Sequence, residues 1–507
     1  MEEYLTLILK ENRLEVNKEK LASKSCYFAS LFSHNFNDSH NKEHVINYDI
    51  ALYTLQNFVE WIHNEQRVDI YYHSIKVSMT KFLQNNFIEL LNLLQLSVLF
   101  IVDELINDII EIIVLCWLLP EKVIDIWLLA QELNIKPLRD ICLSVCLDRF
   151  KELPLSMLIE LTTDNISQLI RNINVRSSKN YLYFVRNKWM KHHTISDTID
   201  IKEEREYKFI KGTVVCERDD NNDNKIANLY IWDNNILCKS IQLKSIQYPE
   251  KWINGMQVIS RGFSVYTIGG EVGLEGGQFN EIISRYCLLS KKWYYQAELP
   301  NPRRHMIAVF ISNKLIIVGG VGKHRVKLRS VDILDIHTGE WKEGAYVPEC
   351  FTEVPPHCVL NGRLFFLKST LYIYYPENNY WRIVKGLYNN PNLQRVNALL
   401  TYDSTLFLID VAILLRIDIT RRNSICKKEE CLKGRVDHTL LSFVIYKDRW
   451  CELRYVEIDL TGIMILNVSE DNNQFLHTEI KMGLEDSISP MMNCFNIIDP
   501  HTLYDTV

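Results

Sequence analysis

The stretch 301–344, NPRRHMIAVFISNKLIIVGGVGKHRVKLRSVDILDIHTGEWKEG, decides the fold. It runs from a Pro-Arg turn through an apolar strand to the pair Gly319 and Gly320. A second apolar strand follows, and Trp341 stands 21 residues after the second glycine. Short apolar runs separated by turn residues predict antiparallel strands rather than helices.

The same pattern recurs upstream. RGFSVYTIGGEVGLEGGQFNEIISRYCLLSKKWYYQAELPNPRRH carries Gly269 and Gly270, 50 residues before the pair described above, and Trp293 follows them. Two copies of one order, strand, glycine pair and tryptophan, indicate a repeated structural unit.

Two weaker copies lie downstream. NGRLFFLKSTLYIYYPENNYWRIV keeps the strands and Trp381 but has Lys368 and Ser369 at the glycine positions. DSTLFLIDVAILLRIDI has lost the glycines and the tryptophan. Periods of about 40–50 residues that contain four short strands predict the blades of a β-propeller. Six blades fit the length from Phe209 to Gly483.

A blade explains the spacing. The glycine pair ends a strand near the crowded axis, where neighbouring blades leave no space for a Cβ atom and the backbone needs a positive φ. The tryptophan lies farther out and packs between adjacent blades, because a single four-stranded sheet cannot bury both of its faces alone.

Composition limits the possible functions. A chain of 507 residues exceeds one compact core, and a net charge of -6 argues against a general affinity for nucleic acid. MEEYLTLILKEN is acidic where a signal peptide is basic, and no uncharged stretch reaches the ~18 residues of a membrane span. Thirteen cysteines without paired CxxC spacing predict reduced thiols and no metal site. We therefore expect a cytoplasmic or nuclear protein without membrane contact.

The first 200 residues have a different texture. Alternation of Leu5, Leu7 and Leu9 around a polar turn predicts a hairpin, and Asn17 is placed to cap the helix that follows. From Pro120 to His193 the pattern is purely helical, and the charged connector IKEEREYK separates it from the strands.

On these motifs the chain resembles the BTB–BACK–Kelch family. YLTLILKENRLEVNKEKLASKSCYFASLF is similar to the opening of a BTB domain, and the glycine–tryptophan repeats are similar to kelch blades. The resemblance implies a multidomain fold class: an α/β BTB domain at 1–115, an all-α BACK helical domain at 116–200, a linker at 201–208 and an all-β kelch propeller of six blades at 209–507.

The resemblance also implies a function. Proteins of this family are non-catalytic adaptors of a RING E3 ubiquitin ligase: the BTB domain forms a homodimer and, with the BACK helices, binds cullin-3, and the propeller binds the protein substrate. The family's cullin-binding motif falls on Phe36, Asn37 and Asp38, where Phe36 supplies an apolar plug and Asp38 a carboxylate. The alternative is that FNDS is a polar surface loop. No cofactor and no catalytic residue is implied.

Substrate contacts are implied at the loops beyond the glycine pairs. The family's positions fall on Arg303, Lys323 and Arg325, and Arg304 and His305 stand beside the first of them. If these residues converge, they form a basic surface that would suit an acidic peptide, through paired hydrogen bonds from guanidinium to carboxylate. The alternative is a set of solvated turn residues.

Two rival functions follow from the same sequence. A catalytic propeller finds no support, because GGVGKH has Ile317 where a phosphate-binding loop needs its first glycine. The stronger rival is a BTB–kelch scaffold that binds the actin cytoskeleton, or a decoy that has lost cullin-3. It draws on departures from the family pattern at Asn17, Asp38 and Ser178.

Overall fold

The computed structural model describes most of the chain. The described residues are 3–33, 41–63, 86–194, 201, 209–218, 225–233, 236–249, 251–273, 277–384, 396–402, 405–410, 414–418, 426–429, 439–446, 449–458, 461–471, 474–478 and 494–506. They divide into two compact units: residues 1–206 with 503–507, here called the helical unit, and residues 207–502, called the sheet unit.

The helical unit begins with the predicted hairpin. Strands β1 (Tyr4–Leu9) and β2 (Asn12–Asn17) pair antiparallel, and β3 (Glu43–Val45) adds to β1 in parallel. Leu5, Leu7 and Leu9 share one face and are buried. The alternation in the sequence therefore predicted correctly which face of the strand is buried.

Ten α-helices are described in this unit, besides a π-helical turn at Ile113–Trp117 and a 3₁₀ turn at Phe150–Glu152. Their bounds are α1 Lys18–Lys24, α2 Cys26–Leu31, α3 Leu52–His63, α4 Phe87–Leu99, α5 Asp103–Ile112, α6 Pro120–Glu132, α7 Lys136–Asp148, α8 Leu155–Ile159, α9 Thr163–Ile170 and α10 Lys179–His193. Asn17 caps α1, since its side-chain oxygen accepts a 3.0 Å hydrogen bond from the amide of Lys20. Trp127 and Trp189 are fully buried, so both belong to the core.

The last residues of this chain also belong to the helical unit. Residues 503–507 group with residues 1–206 rather than with the strands, among which the sequence analysis placed them. The chain therefore passes between the two units twice.

The sheet unit consists of antiparallel sheets, six of which have four strands in the part that the structure describes. The first contains β4 Phe209–Arg218, β5 Lys225–Asp233, β6 Ile236–Leu243 and β30 Cys494–Ile498. The second contains β8 Gln257–Arg261, β9 Ser264–Ile268, β12 Ile282–Cys287 and β13 Lys292–Glu298. The third contains β14 Ile307–Ile311, β15 Lys314–Val318, β16 Val331–Asp335 and β17 Trp341–Gly344.

The remaining sheets follow in chain order. The fourth contains β18 His357–Leu360, β19 Arg363–Leu367, β20 Leu371–Tyr375 and β21 Tyr380–Ile383. The fifth contains β22 Val396–Tyr402, β23 Thr405–Asp410, β24 Leu414–Asp418 and β25 Cys426–Glu429, and the sixth contains β26 Thr439–Tyr446, β27 Arg449–Ile458, β28 Thr461–Asp471 and β29 Gln474–Thr478. A small sheet joins β7 Ile253–Asn254, β10 Glu271–Val272 and β11 Gln278–Phe279.

The first sheet combines the two ends of the strand region. β30 pairs antiparallel with β4, so that Phe209 lies opposite Ile498. An edge strand of each sheet also lies beside an edge strand of the next: β30 beside β8, β8 beside β14, β14 beside β18, β18 beside β22 and β22 beside β26.

Apolar side chains fill the spaces between successive sheets from the first to the fifth. One cluster takes Leu229 from the first sheet and Val265 from the second, and the next takes Ile283 from the second and Ile317 from the third. The described core of this unit therefore lies between sheets, from the first to the fifth.

Candidate functional site

The two glycine pairs mark the same place in the second and third sheets. Gly269 and Gly270 follow β9 with φ of +60° and +95°, and Gly319 and Gly320 follow β15 with φ of +59° and +90°. A Cβ atom at Gly320 would lie 2.7 Å from the carbonyl oxygen of Arg304. Both the backbone conformation and the available space therefore require glycine.

The turn 302–305 passes between these pairs. The amide of Gly270 donates to the carbonyl of Arg303 at 2.8 Å, and Arg304 and Val321 exchange two backbone hydrogen bonds of 2.9 Å each. His305 has a φ of +53°, and its backbone amide donates a hydrogen bond to the carbonyl of Gly255. The turn thus ties the second sheet to the third through the backbone.

Arg303 lies inside this junction, with 0% of its surface exposed. Its guanidinium donates to the carbonyls of Asn301, Gly319 and Ser330 and forms an ion pair with Asp332. Burial lowers the pKa of Arg303 and raises that of Asp332, while the attraction between the two charges acts in the opposite direction.

This burial corrects the expectation that Arg303 contacts a substrate. Its donors are directed at carbonyl groups of the chain itself, and none of its surface is accessible. Arg303 instead stabilises the strand end that carries Gly319.

Arg304 lies nearer the surface and also has a partner. Its Nη1 atom is 2.9 Å from Oε2 of Glu271, whose other oxygen accepts a 3.0 Å hydrogen bond from the amide of Gly277. Burial, and then the charge of Arg304, lower the pKa of the neighbouring His305. The imidazole is therefore less basic than a histidine in water.

Lys323 and Arg325 lie on the short turn beyond Gly320. This turn spans Lys323–Arg325, is exposed, and has positive φ at His324 and Arg325. The Nζ atom of Lys323 is 3.5 Å from Oε1 of Glu281. The structure therefore places Lys323 and Arg325 together at the surface and separates both from the buried Arg303.

The cations of this region alternate with carboxylates. Three ion pairs, Arg303–Asp332, Arg304–Glu271 and Lys323–Glu281, stand where the sequence analysis expected a basic surface. The acidic partners stand 29 to 42 residues away in the sequence, so the residues of the turn alone did not predict them. Of these three pairs, Lys323–Glu281 is the one with both partners exposed, so it presents both signs of charge at the surface.

The fourth sheet replaces the glycine pair with a side-chain network. Glu349 accepts hydrogen bonds from the hydroxyls of Ser369 and Tyr372, and Lys368 Nζ is 3.6 Å from its carboxylate. Burial alone would raise the pKa of Glu349, but the hydrogen bonds from Ser369 and Tyr372 lower it below its ordinary value. Sequence comparison of the repeats showed the loss of glycine and missed this network.

The three tryptophans lie between sheets. Trp293 packs on the cluster between the first and second sheets, Trp341 on that between the second and third, and Trp381 on that between the third and fourth. The indole of Trp381 donates a 2.8 Å hydrogen bond to the carbonyl of Ala345. Each indole therefore contributes to contact between neighbouring sheets.

The other expectations from the sequence concern the cullin-binding motif, metal binding, the cysteine thiols and membrane spans. Phe36, Asn37 and Asp38 lie outside the described residues. Among the residues that are described, no cluster of His, Cys, Asp and Glu could hold a metal ion. Burial raises the pKa of Cys142 and Cys146, which keeps both thiols protonated. No described helix is long and apolar enough to span a bilayer.

Comparisons with known proteins add little. No protein-family model and no curated protein matches the chain. A solved structure titled "Structure of YjhT" is similar over 45% of this chain and 84% of its own, with 12% identity and a TM-score of 0.36. A likeness at that score carries no argument about fold or function.

Proposed function

We propose that this protein is a substrate-recognition adaptor of a cullin-3 RING ubiquitin ligase, of the BTB–BACK–Kelch type. In this proposal the helical unit pairs with a second copy and binds cullin-3. The sheet unit is a six-bladed kelch propeller that binds the protein destined for ubiquitination. The adaptor itself performs no chemistry.

The observation that carries the proposal is the first sheet. Its strand β30 comes from the end of the strand region and its strands β4, β5 and β6 come from the beginning. A ring of repeated sheets needs such a sheet, because the last repeat must meet the first without leaving an open edge. The five edge-strand contacts between successive sheets support the same arrangement.

The helical unit supports the proposal through the order of its elements. A hairpin, a capped helix, a parallel third strand and a series of packed helices follow one another as the resemblance implies for BTB and BACK domains. Asn17, which departs from the family pattern, caps α1, and its amide donates a 2.9 Å hydrogen bond to His63. That departure is accommodated within the fold of the unit.

Recognition of the substrate falls to the exposed turn at Lys323–Arg325 and to Glu281, the exposed partner of Lys323. Because this surface offers cations beside a carboxylate, the substrate class is a protein segment that carries both acidic and basic side chains. This replaces the purely acidic peptide that the sequence alone suggested.

Capture of cullin-3 by the full chain tests the proposal. We expect the wild-type protein to retain cullin-3, the variant Phe36→Ala to lose most of it, and Tyr346→Ala to behave as wild type. Tyr346 is a suitable control because it is 67% exposed and lies in the sheet unit. If neither wild type nor control retains cullin-3, the ligase function is wrong, and co-sedimentation with actin filaments then tests the scaffold function.

A further inference from the structure

Residues 503–506 are held on the helical unit by their backbone. The side-chain amide of Asn172 donates a 2.7 Å hydrogen bond to the carbonyl of Leu503, and the backbone amide of Ile173 donates a 3.3 Å hydrogen bond to the carbonyl of Asp505. Asn172 also forms an antiparallel bridge with Thr506. The segment therefore begins at the end of a 3₁₀ turn, Pro500–Tyr504, and continues with two residues whose backbone bonds to that of residues 172 and 173.

Asn172 is oriented by a hydrogen bond that does not involve the segment. The side chain is fully buried, and its oxygen accepts a 2.9 Å hydrogen bond from the amide of Asn174. That bond orients the amide group so that its nitrogen faces the bound carbonyl of Leu503. A buried donor that is already oriented binds a peptide carbonyl with little loss of conformational entropy.

Two side chains of the segment make specific contacts. Leu503 is buried, with 1% of its surface exposed. The ring of Tyr504 lies 5.1 Å from the guanidinium carbon of Arg139, and its hydroxyl donates to Asp140, which also accepts a 2.9 Å bond from Arg139. Burial, and the bond to Asp140, raise the pKa of Tyr504, so its hydroxyl remains a donor at neutral pH.

We propose that the surface formed by Arg139, Asp140, Asn172 and Ile173 is a peptide-binding site in its own right, and that this chain's residues 503–506 are its resident ligand. The ligand class is a short segment in which leucine followed by tyrosine ends a 3₁₀ turn. The backbone bonds hold the segment in place, while burial of the leucine and contact of the tyrosine with the Arg139–Asp140 pair select its side chains. Tyr504 remains 43% exposed in the bound segment, whereas Leu503 is buried.

Binding of a synthetic peptide tests this site. A chain that ends at Asp499 lacks the resident segment, and the probe is the peptide PHTLYDTV, which corresponds to residues 500–507. We expect the shortened chain to bind the peptide and the full chain to bind it at least about tenfold more weakly, because its site is occupied. Replacing the tyrosine of the peptide by alanine is expected to cost about tenfold, since a cation–π contact and a hydrogen bond are lost together. Equal binding by both chains, or none by the shortened chain, would overturn the proposal.

Hydrogen exchange on the full chain provides a second test that does not depend on the shortened chain. In the variant Tyr504→Ala we expect faster amide exchange in residues 500–506 and 171–176 and unchanged exchange elsewhere, whereas Tyr346→Ala leaves both segments as in the wild type. Wild-type residues 500–506 that exchange as fast as an unprotected peptide would contradict the site. Protection that grows with protein concentration would assign the bound segment to a second copy and overturn the intrachain assignment.

Discussion

Substitution of Gly320 by alanine tests the central packing of the sheet unit. With a φ of +90°, an L-residue at this position costs ~1–2 kcal/mol in backbone strain. The new Cβ would also lie 2.7 Å from the carbonyl oxygen of Arg304 and 3.0 Å from the amide nitrogen of Met306. Both are backbone atoms, so the turn itself must shift, which costs a further ~1–3 kcal/mol. We expect a loss of about 3 kcal/mol in the free energy of unfolding.

Two other glycines separate strain from crowding. Gly362 has a φ of +71°, and a Cβ there would meet no atom within 4 Å. Gly362→Ala is therefore expected to lower the free energy of unfolding by the backbone strain alone, ~1–2 kcal/mol. At Gly319 the Cβ would lie 2.8 Å from the ring of Phe351, a side chain that can move more easily than backbone. The expected order of destabilisation is therefore Gly320, then Gly319, then Gly362.

Thermal unfolding of the full chain, followed by near-ultraviolet circular dichroism, measures this order. At ~2 °C per kcal/mol for a unit of this size, Gly320→Ala lowers the melting temperature of the sheet unit by about 6 °C and Gly362→Ala by about 3 °C. Equal shifts for both variants would show that the crowding around Gly320 is absent, and the packing of the turn against the glycine pair would be refuted.

Two further predictions concern the charged groups of the same junction. Arg303→Met leaves Asp332 buried without its partner, and we expect it to lower the free energy of unfolding, measured by chemical denaturation, by ~3–5 kcal/mol. Lys323→Met removes an exposed ion pair and is expected to cost at most ~1 kcal/mol. Similar costs for both variants would contradict the burial of Arg303. His305 has a folded pKa below its unfolded value of ~6.5, because of burial and the charge of Arg304, so the unfolded chain binds the proton first as pH falls. Stability should therefore drop from about pH 6.5 down to the folded pKa, and His305→Gln should reduce that drop; an unchanged pH dependence of the unfolding midpoint would refute it.

Local periodicity made part of the fold predictable. The alternation of Leu5, Leu7 and Leu9 depends on neighbours within six residues and gave the buried face of β1. The short apolar runs likewise gave the antiparallel strands of the third and fourth sheets. Such features follow from the geometry of a single strand or hairpin, which the sequence states directly.

The direction and partners of charged side chains were not predictable in this way. The sequence shows that Arg303 stands in a turn, but its burial depends on Asp332, which lies 29 residues away on β16. Glu349 replaces part of the glycine junction in the fourth sheet through Ser369, 20 residues along the chain. Contacts of this range depend on how strands are brought together, which no local pattern records.

The first sheet sets the timing of folding during synthesis. Because Phe209 pairs with Ile498, strands β4, β5 and β6 leave the ribosome long before their fourth strand exists. Closing so long a loop costs entropy before its contacts form, which slows the final step. Until then the free edge of β4 can pair with other nascent chains, so a premature stop anywhere before residue 494 yields a product prone to aggregate and dependent on chaperones.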